Sequence, residues 1–377
     1  MCPCANAAAQ LLPGSPSLRY DAAMPIKLTS LSDLLDHGFD DVIDVRAPSE
    51  YAEDHIPGAI SLPVLDDEER ARVGTIYKQV SPFDARKIGG ALVARNAARH
   101  IEQSLQDRDG SWQPLVYCWR GGQRSGSFAI ILRQIGWRVE TVEGGYKAFR
   151  GLVVDALYDR PFPCPVILLD GNTGSAKTEL LKMLPDHGVQ VLDLEGLANH
   201  RGSLFGAVGP QPQQRGFETA LAMAITRLDP SRPVVVEAES SKVGECRLPP
   251  GLWSVMKTAP RLVLNAPLDE RAAYLTRAYG DVTADSGRLH RILDSLRPFV
   301  AADRIEAWHD QARSGRFTEL ARGLMADRYD PGYARHRARW DPETVTELDV
   351  PSLAPDALPA LAARIAAHVR TFKGDPR

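Results

Sequence analysis

At 377 residues the chain exceeds what one ordinary hydrophobic core organises, so two domains are expected. Apolar and charged fractions of 44% and 25% fit a folded globular protein and exclude a disordered or collagen-like chain. A formal net charge of −3 excludes a global electrostatic pull toward nucleic acid, so any RNA contact must come from a local basic patch.

Residues 1–24 are rich in Ala, Pro and Ser, lack the basic-then-apolar order of a signal peptide, and are expected to form a disordered, dispensable tail, with Met24 a candidate start. Cys2 and Cys4 form a C-x-C too tight for a zinc knuckle. The five cysteines have no pairing pattern, which points to a reducing, cytoplasmic compartment and to thiol chemistry. No apolar run approaches membrane-spanning length, so no membrane partner is expected.

The first domain is expected over 25–155. It opens with a helix over 28–35 and a strand over 41–45. Asp44 and Arg46 flank a loop across which they can pair and fix its shape, and Glu50 and His55 have the same structural status. The charged run over 66–72 suits a solvated helix face. An apolar strand over 114–117 then delivers Cys118 to a glycine-rich turn, followed by a helix over 128–135. Turn amides and the positive end of the helix dipole surround the sulfur, and Arg120 and Arg124 add full charges. All of these favour a thiolate, so Cys118 is expected to be acidic and reactive. A merely small, buried cysteine would need neither two glycines nor two arginines.

Three motifs in order, DVRAPSEYAEDHIPGAISLP (44–63), the Cys118 loop and VEGGYKAF (142–149), resemble the rhodanese fold over about 26–150. The resemblance implies a small α/β domain with a parallel sheet. Sulfur-transferring members commonly close a shorter loop. Here five residues separate Cys118 from Arg124 and Ser125 follows, a spacing that suits a larger tetrahedral anion. The same C-x5-R-S spacing occurs in cysteine-dependent phosphatases, although Tyr117 stands where those usually carry histidine.

Pro161, Pro163 and Pro165 mark 156–165 as a linker, with the second domain over 166–377. A strand over 166–169, a turn over 170–178 and a helix over 179–184 give the strand, glycine loop, Lys-Thr, helix order of a P-loop. Amides around Gly171 and Gly174 would wrap a di- or triphosphate, Lys177 would reach it as a point charge, and Thr178 could hold Mg²⁺. Ala176 replaces the last glycine, a change that fits if its φ is negative. Strands over 190–194, 233–238 and 261–265 alternate with helices such as 218–228, which predicts a parallel sheet. Glu237 and Glu239 end a strand where P-loop enzymes keep a metal- or water-directing acid, and a polar loop over 194–206 offers Glu195, His200 and Arg201 to a substrate. From 268 onward the chain reads as helical and arginine-rich, with Arg271, Arg277, Arg288, Arg291 and Arg297 recurring. Over 329–340 aromatics interleave with basic residues including Arg335 and Arg337, a composition that suits loop RNA as well as a solvated surface. A terminal amphipathic helix over 360–369 is expected simply to pack. The fold class is therefore α/β: a rhodanese-like domain, then a P-loop NTPase-like parallel-sheet domain with a helical, arginine-rich C-terminal part.

The segments YCWRGGQRSGS (117–127), GNTGSAKTELL (171–181), DLEGLANHRGSLFG (193–206), VVVEAESSKVG (234–244) and YDPGYARH (329–336) together resemble the tRNA 2-selenouridine synthase family. That resemblance implies replacement of sulfur by selenium in 2-thiouridine at the anticodon wobble position. It implies selenophosphate and geranyl diphosphate as substrates, an S-geranyl intermediate, no tightly bound cofactor and no assigned metal beyond Mg²⁺ at Thr178. Partners would be tRNA and a selenophosphate-supplying enzyme. Cys118 would be the nucleophile or selenium carrier, Arg120 and Arg124 would bind the anion, and Gly171, Gly174, Lys177 and Thr178 would hold the donor diphosphate. Three alternatives remain open: a rhodanese-type sulfurtransferase acting on tRNA or protein with ATP, a cysteine-dependent phosphatase, and a binding module without catalysis.

Overall fold

The computed structural model describes residues 24–201, 209–338 and 340–372. The tail over 1–23 and the 202–206 end of the polar loop lie outside the described residues.

Four short strands form the first sheet: β1 (Asp41–Asp44), β2 (Ile60–Ser61), β3 (Pro114–Tyr117) and β4 (Glu140–Thr141). Their order is β2-β1-β3-β4 and every pairing is parallel. Five helices surround it: α1 (Pro48–Glu53), α2 (Asp67–Gln79), α3 (Pro82–Gln103), α4 (Gln123–Ile135) and α5 (Gly145–Val154). The helix expected over 28–35 is a single 3-10 turn, Leu31–Leu34. Asp33 accepts the backbone N–H groups of Thr29 and Ser30, which closes a local turn in place of a longer helix. No residue of α2 is buried, as a solvated face requires.

Side chains of β3 alternate between two cores. Val116 faces Phe128 and Leu132, while Leu115 and Tyr117 face a second cluster. A parallel strand covered on both faces reads as an unbroken apolar run, which is why 114–117 is legible as a strand. The second cluster continues through Phe149, Val153 and Leu157 into Val166, Leu168 and Phe217 of the next domain. The connection over 156–165 is packed: α5 runs on through a π-turn, Asp155–Asp159, and Leu157 and Cys164 are buried. Asp54 of the first domain accepts hydrogen bonds from Tyr146 (2.7 Å) and, across the domain boundary, from Thr219 (2.9 Å).

The second sheet contains β5 (Val166–Gly171), β6 (Gln190–Leu192), β7 (Val234–Glu237), β10 (Arg261–Asn265) and β11 (Val345–Asp349), in the order β11-β10-β5-β7-β6, all parallel. A small hairpin, β8 (Lys242–Val243) and β9 (Cys246–Arg247), stands apart. Helices α6 (Lys177–Met183), α7 (Leu194–Leu197), α8 (Gln214–Thr226), α9 (Pro250–Thr258) and α10 (Leu268–Ala278) connect the strands. A helical subdomain follows: α11 (Gly280–Ala284), α12 (Ser286–Ser295), α13 (Ala302–Arg313), α14 (Phe317–Leu324) and α15 (Asp330–Arg337). It has its own core around Leu293, Ile305 and Trp308. Strand β11 then returns to the sheet edge, and α16 (Leu358–Thr371) packs Leu361, Ile365 and Val369 against Leu180 and Leu184.

Candidate functional site

Strand β3 ends at Tyr117 and leaves Cys118 buried at the start of its loop. Cys118 Sγ accepts the Ser125 hydroxyl at 3.2 Å and the Gly122 N–H at 3.4 Å. Helix α4 begins at Gln123, five residues before the expected 128, so Arg124 and Ser125 sit in its first turn. The loop rests on α5, whose Tyr146 N–H donates to the Cys118 carbonyl (2.8 Å) and Lys147 N–H to that of Trp119 (2.9 Å). This close approach needs glycine on both sides. A Cβ on Gly145 would stand 2.2 Å from the Cys118 carbonyl oxygen, and one on Gly121 would stand 2.4 Å from that of Val142. Both glycines also have positive φ, +56° and +63°. The R-G-G and E-G-G-Y segments are thus two halves of one contact.

Burial pushes the Cys118 thiol up, but the Ser125 hydroxyl, the Ser125 and Gly122 N–H groups and Arg124 together hold it below its ordinary range. Ser125→Ala is therefore expected to move the pH profile of Cys118 alkylation by iodoacetamide upward and slow the reaction several-fold at neutral pH. An unmoved profile would show that the hydroxyl does not stabilise the thiolate.

Arg124 donates to Glu50 at 2.8 Å, with Arg70 3.8 Å from the same carboxylate oxygen, while Arg120 is exposed. Glu50 thus belongs to the anion loop's charge balance as well as to its scaffold. Asp44 and Arg46 form a buried pair at 2.6 Å, and Tyr117 donates its hydroxyl to Asp44 at 2.8 Å. The Arg46 guanidinium lies 4.0 Å from the Tyr146 ring centroid, and His55 Nδ1 is 2.9 Å from the Tyr51 carbonyl. These groups frame the loop and do not face the sulfur.

The P-loop runs from Gly171 into α6. Gly174 is required where it stands: its φ is +85°, and a Cβ there would lie 2.9 Å from the Arg271 carbonyl oxygen. Ala176 departs from the negative φ proposed for it. It adopts φ +58°, ψ 21°, and its methyl is buried in the core shared by Leu180 and Leu181. Lys177 Nζ donates to the Gly171 carbonyl at 3.0 Å and lies 3.9 Å from Glu237. Burial opposes its ammonium, but Tyr333, Glu237, Asp170 and Glu239 outweigh that opposition and hold its pKa above the ordinary lysine range.

Thr178 donates to Glu195 at 2.7 Å and lies 3.4 Å from Glu237. One oxygen from each of Glu195, Glu237 and Glu239 falls within 4.8 Å of the others. Burial pushes all three upward, Glu239 to about 8; neighbouring carboxylates add to the rise at Glu237 and Glu239, while at Glu195 the hydrogen bonds with Thr178 and Glu239 and the Lys177 charge oppose it. Crowded carboxylates beside a threonine hydroxyl form a hard oxygen donor set that fits a divalent cation such as Mg²⁺. Without a cation, these carboxylates bind more protons in the folded protein than in the unfolded chain between the ordinary glutamate range and about pH 8, while buried His100 and His200 act in the opposite sense near their ordinary range. Stability of the cation-free protein is therefore expected to fall as pH rises through that window, with Glu239→Gln flattening part of the slope in thermal melts. A melting temperature that rises across the window would contradict the clustered, protonated carboxylates.

A cleft of about 1470 Å³ opens above the P-loop, and Lys177, Glu195, Glu237, Trp253, Arg261 and Tyr333 are among its walls. Gly174, Lys177, Thr178, Glu195, His200, Arg201, Glu237 and Glu239 line it, whereas Gly171, Arg335, Arg337 and the recurring arginines Arg271, Arg277, Arg288, Arg291 and Arg297 do not. Burial pushes His200 down, while Arg201 pairs with Asp281 at 3.0 Å and lies 5.0 Å from the Tyr279 ring centroid. Arg335 is exposed, and Arg337 is half-buried near the rings of Trp340 (5.8 Å) and Tyr333 (6.0 Å). Cys118, Arg120 and Arg124 lie outside the cleft, whose lining is confined to 170–340.

Part of the interleaved segment over 329–340 turns inward. Asp330 accepts Arg271 at 2.7 Å and the Asn172 amide at 3.0 Å, and Thr173 donates to the Tyr333 hydroxyl at 3.4 Å. Asp330 and Tyr333 therefore prop the P-loop, a role that no local pattern announced. Arg277 donates to the Leu353 carbonyl, and Arg297 pairs with Asp294 and Glu306, so these arginines serve internal contacts.

A family model described as the tRNA 2-selenouridine synthase AAA domain matches residues 164–291, and a rhodanese-like domain model matches 27–152. A protein of Alcanivorax borkumensis named tRNA 2-selenouridine synthase is 36% identical over 326 residues, covering 78% of this chain and 88% of that protein. The chain belongs to the tRNA 2-selenouridine synthase family. Members from Pseudomonas syringae pv. tomato (34%; 78% of this chain, 88% of that protein) and Marinobacter nauticus (33%; 81% and 93%) agree. In this synthase-family chain the rhodanese match contains the Cys118 loop, and the AAA match contains the P-loop and all three clustered glutamates. Asp330 and Tyr333 fall beyond both matches, yet Asp330 braces the P-loop and Tyr333 lines the cleft. Among the described residues no helix is long and apolar enough to cross a membrane.

Proposed function

We propose that this enzyme replaces the sulfur of 2-thiouridine by selenium at the tRNA wobble position, with geranyl diphosphate and selenophosphate as its two substrates. The observation that carries the reading is the presence of two separate anion sites in one chain of this family. One surrounds a cysteine held below its ordinary pKa, and the other is a P-loop whose cleft holds no cysteine. The names of the relatives supply the nucleoside and the element.

The chemistry divides between the sites. At the P-loop, amides around Gly174 and the Lys177 ammonium bind the diphosphate and receive its charge as it leaves. The C1–O bond of the donor breaks with its electrons on the diphosphate, a C1–S bond forms to the base, and the N3 proton is released. Thr178, Glu195, Glu237 and Glu239 would hold Mg²⁺, which supplies positive charge against the diphosphate. No ATP hydrolysis is needed. In the second step selenide freed from selenophosphate bonds to C2, and the geranyl thiolate departs with the C–S electrons, a better leaving group than a thione sulfur. The Cys118 loop binds the tetrahedral selenophosphate through the Gly122 and Ser125 N–H groups and Arg124, and the Cys118 thiolate is the nucleophile that takes its phosphoryl group, so the P–Se bond breaks with its electrons on selenium and water later frees phosphate from the cysteine. The wobble nucleotide lies in a loop, where C2 is reachable without melting a helix. A selenophosphate-supplying enzyme is the expected second partner, and the cytoplasm the expected compartment.

The test is nucleoside mass spectrometry of 2-thiouridine tRNA incubated with the protein and the two substrates, separately and together. A geranyl mass gain with the first and sulfur-to-selenium exchange with both support the proposal. If neither mass appears with folded protein, the proposal fails, and ATP turnover coupled to thiolation would favour the sulfurtransferase reading.

A further inference from the structure

A second recess adjoins the P-loop. Thr173, Leu275, Tyr279 and Tyr329 line both it and the main cleft, so the two spaces share a wall at the phosphate loop. Beyond that wall the recess is apolar, closed by Val282, Leu289, Phe317, Leu320 and Ala321 from three helices of the subdomain. Two threonines also reach it, but Thr276 donates to the Ala272 carbonyl (2.9 Å) and Thr283 to that of Gly280 (3.1 Å). Neither offers a ligand a free donor. The recess measures about 70 Å³, room for roughly five waters on the same measure, yet such a surface gives water few partners. An apolar cavity of about 150 Å³ stays dry and takes benzene, so a recess under half that size takes only the end of a hydrocarbon chain. A nucleobase has a polar edge that would go unpaired there.

We infer that this recess receives the far end of the hydrocarbon tail of the diphosphate ester bound at the P-loop, the rest of the chain lying in the adjoining cleft, and that Phe317, Leu320 and Ala321 of α14 set the length of chain accepted. The inference rests on the reading of the donor as a prenyl diphosphate. It adds the site and the residues that select among such donors: a chain of the right length brings its end into the recess, and a longer one meets its floor.

The experiment compares inorganic diphosphate with dimethylallyl, geranyl and farnesyl diphosphates on the full chain. Binding is read by calorimetry and transfer by nucleoside mass spectrometry on 2-thiouridine tRNA. Wild type is expected to bind geranyl diphosphate at least tenfold more tightly than inorganic diphosphate. Ala321→Phe is expected to erase that advantage, leave inorganic diphosphate binding unchanged, and shift preference to the dimethylallyl donor. Phe317→Ala is expected to shift preference toward the farnesyl donor. If wild type prefers geranyl diphosphate but neither variant, each with an unchanged melting temperature, alters the order of donors, the recess is not the tail site and the donor reading stands. If wild type binds geranyl and inorganic diphosphate equally and transfers no prenyl group, the donor reading falls and the inference falls with it.

Discussion

Lys177→Ala will abolish geranyl transfer, by on the order of 10²–10³-fold, while leaving tRNA binding nearly intact. The ammonium is placed at the loop carbonyl of Gly171 and beside Glu237, and under the proposed mechanism it would meet the charge that develops on a departing diphosphate. Deletion removes a full positive charge from a buried site, and no solvent can replace it there. The fold should survive, because Glu237 already sits well above the ordinary carboxylate range and can remain protonated when its partner is lost. The side chain is nearly buried, which gives it little to offer a tRNA surface. Geranyl mass gain and tRNA binding, measured on the same variant, separate the two effects. Unchanged geranylation in Lys177→Ala would remove the P-loop from the donor site.

Cys118→Ser will stop selenium incorporation, by roughly a thousandfold or more, and leave geranyl transfer within a few-fold of wild type. The reason is positional as well as chemical. Serine keeps the shape of the side chain, so the contacts of Gly122 and Ser125 around it can persist. Its hydroxyl does not ionise where a thiol held below its ordinary pKa does. Cys118 also lies outside the cleft that contains Lys177, so the first step should proceed without it. With both substrates present, the S-geranyl nucleoside should then accumulate, visible by mass spectrometry. Selenation at the wild-type rate in this variant would eliminate Cys118 as the nucleophile that frees the selenium.

The features legible in the sequence are those whose causes lie within a few residues. β3 could be read from Pro114 to Tyr117 because both its faces are covered. The P-loop could be read because strand, glycines, Lys177, Thr178 and helix follow one another directly. Even so, the φ of Ala176 was not legible: a methyl is expected to avoid the left-handed region, and only the buried packing around it fixes it there. β11 escaped because it is an edge strand with no buried residue, so it carries no apolar alternation. Arg124 was legible as a charge near Cys118, but its pairing with Glu50 spans 74 positions.

By itself the sequence determined two α/β domains, a cysteine loop, a P-loop and membership of a family, because periodicity, glycine placement and motif order are local properties of the chain. Tertiary structure alone decided what those parts face. It brought Glu195 and Glu237 to Thr178, set Asp330 against Asn172 across 158 positions, and assembled the apolar recess from separate helices. Such convergence depends on how elements pack after loop closure, and the partner of a buried carboxylate is chosen by that packing rather than by its neighbours in sequence.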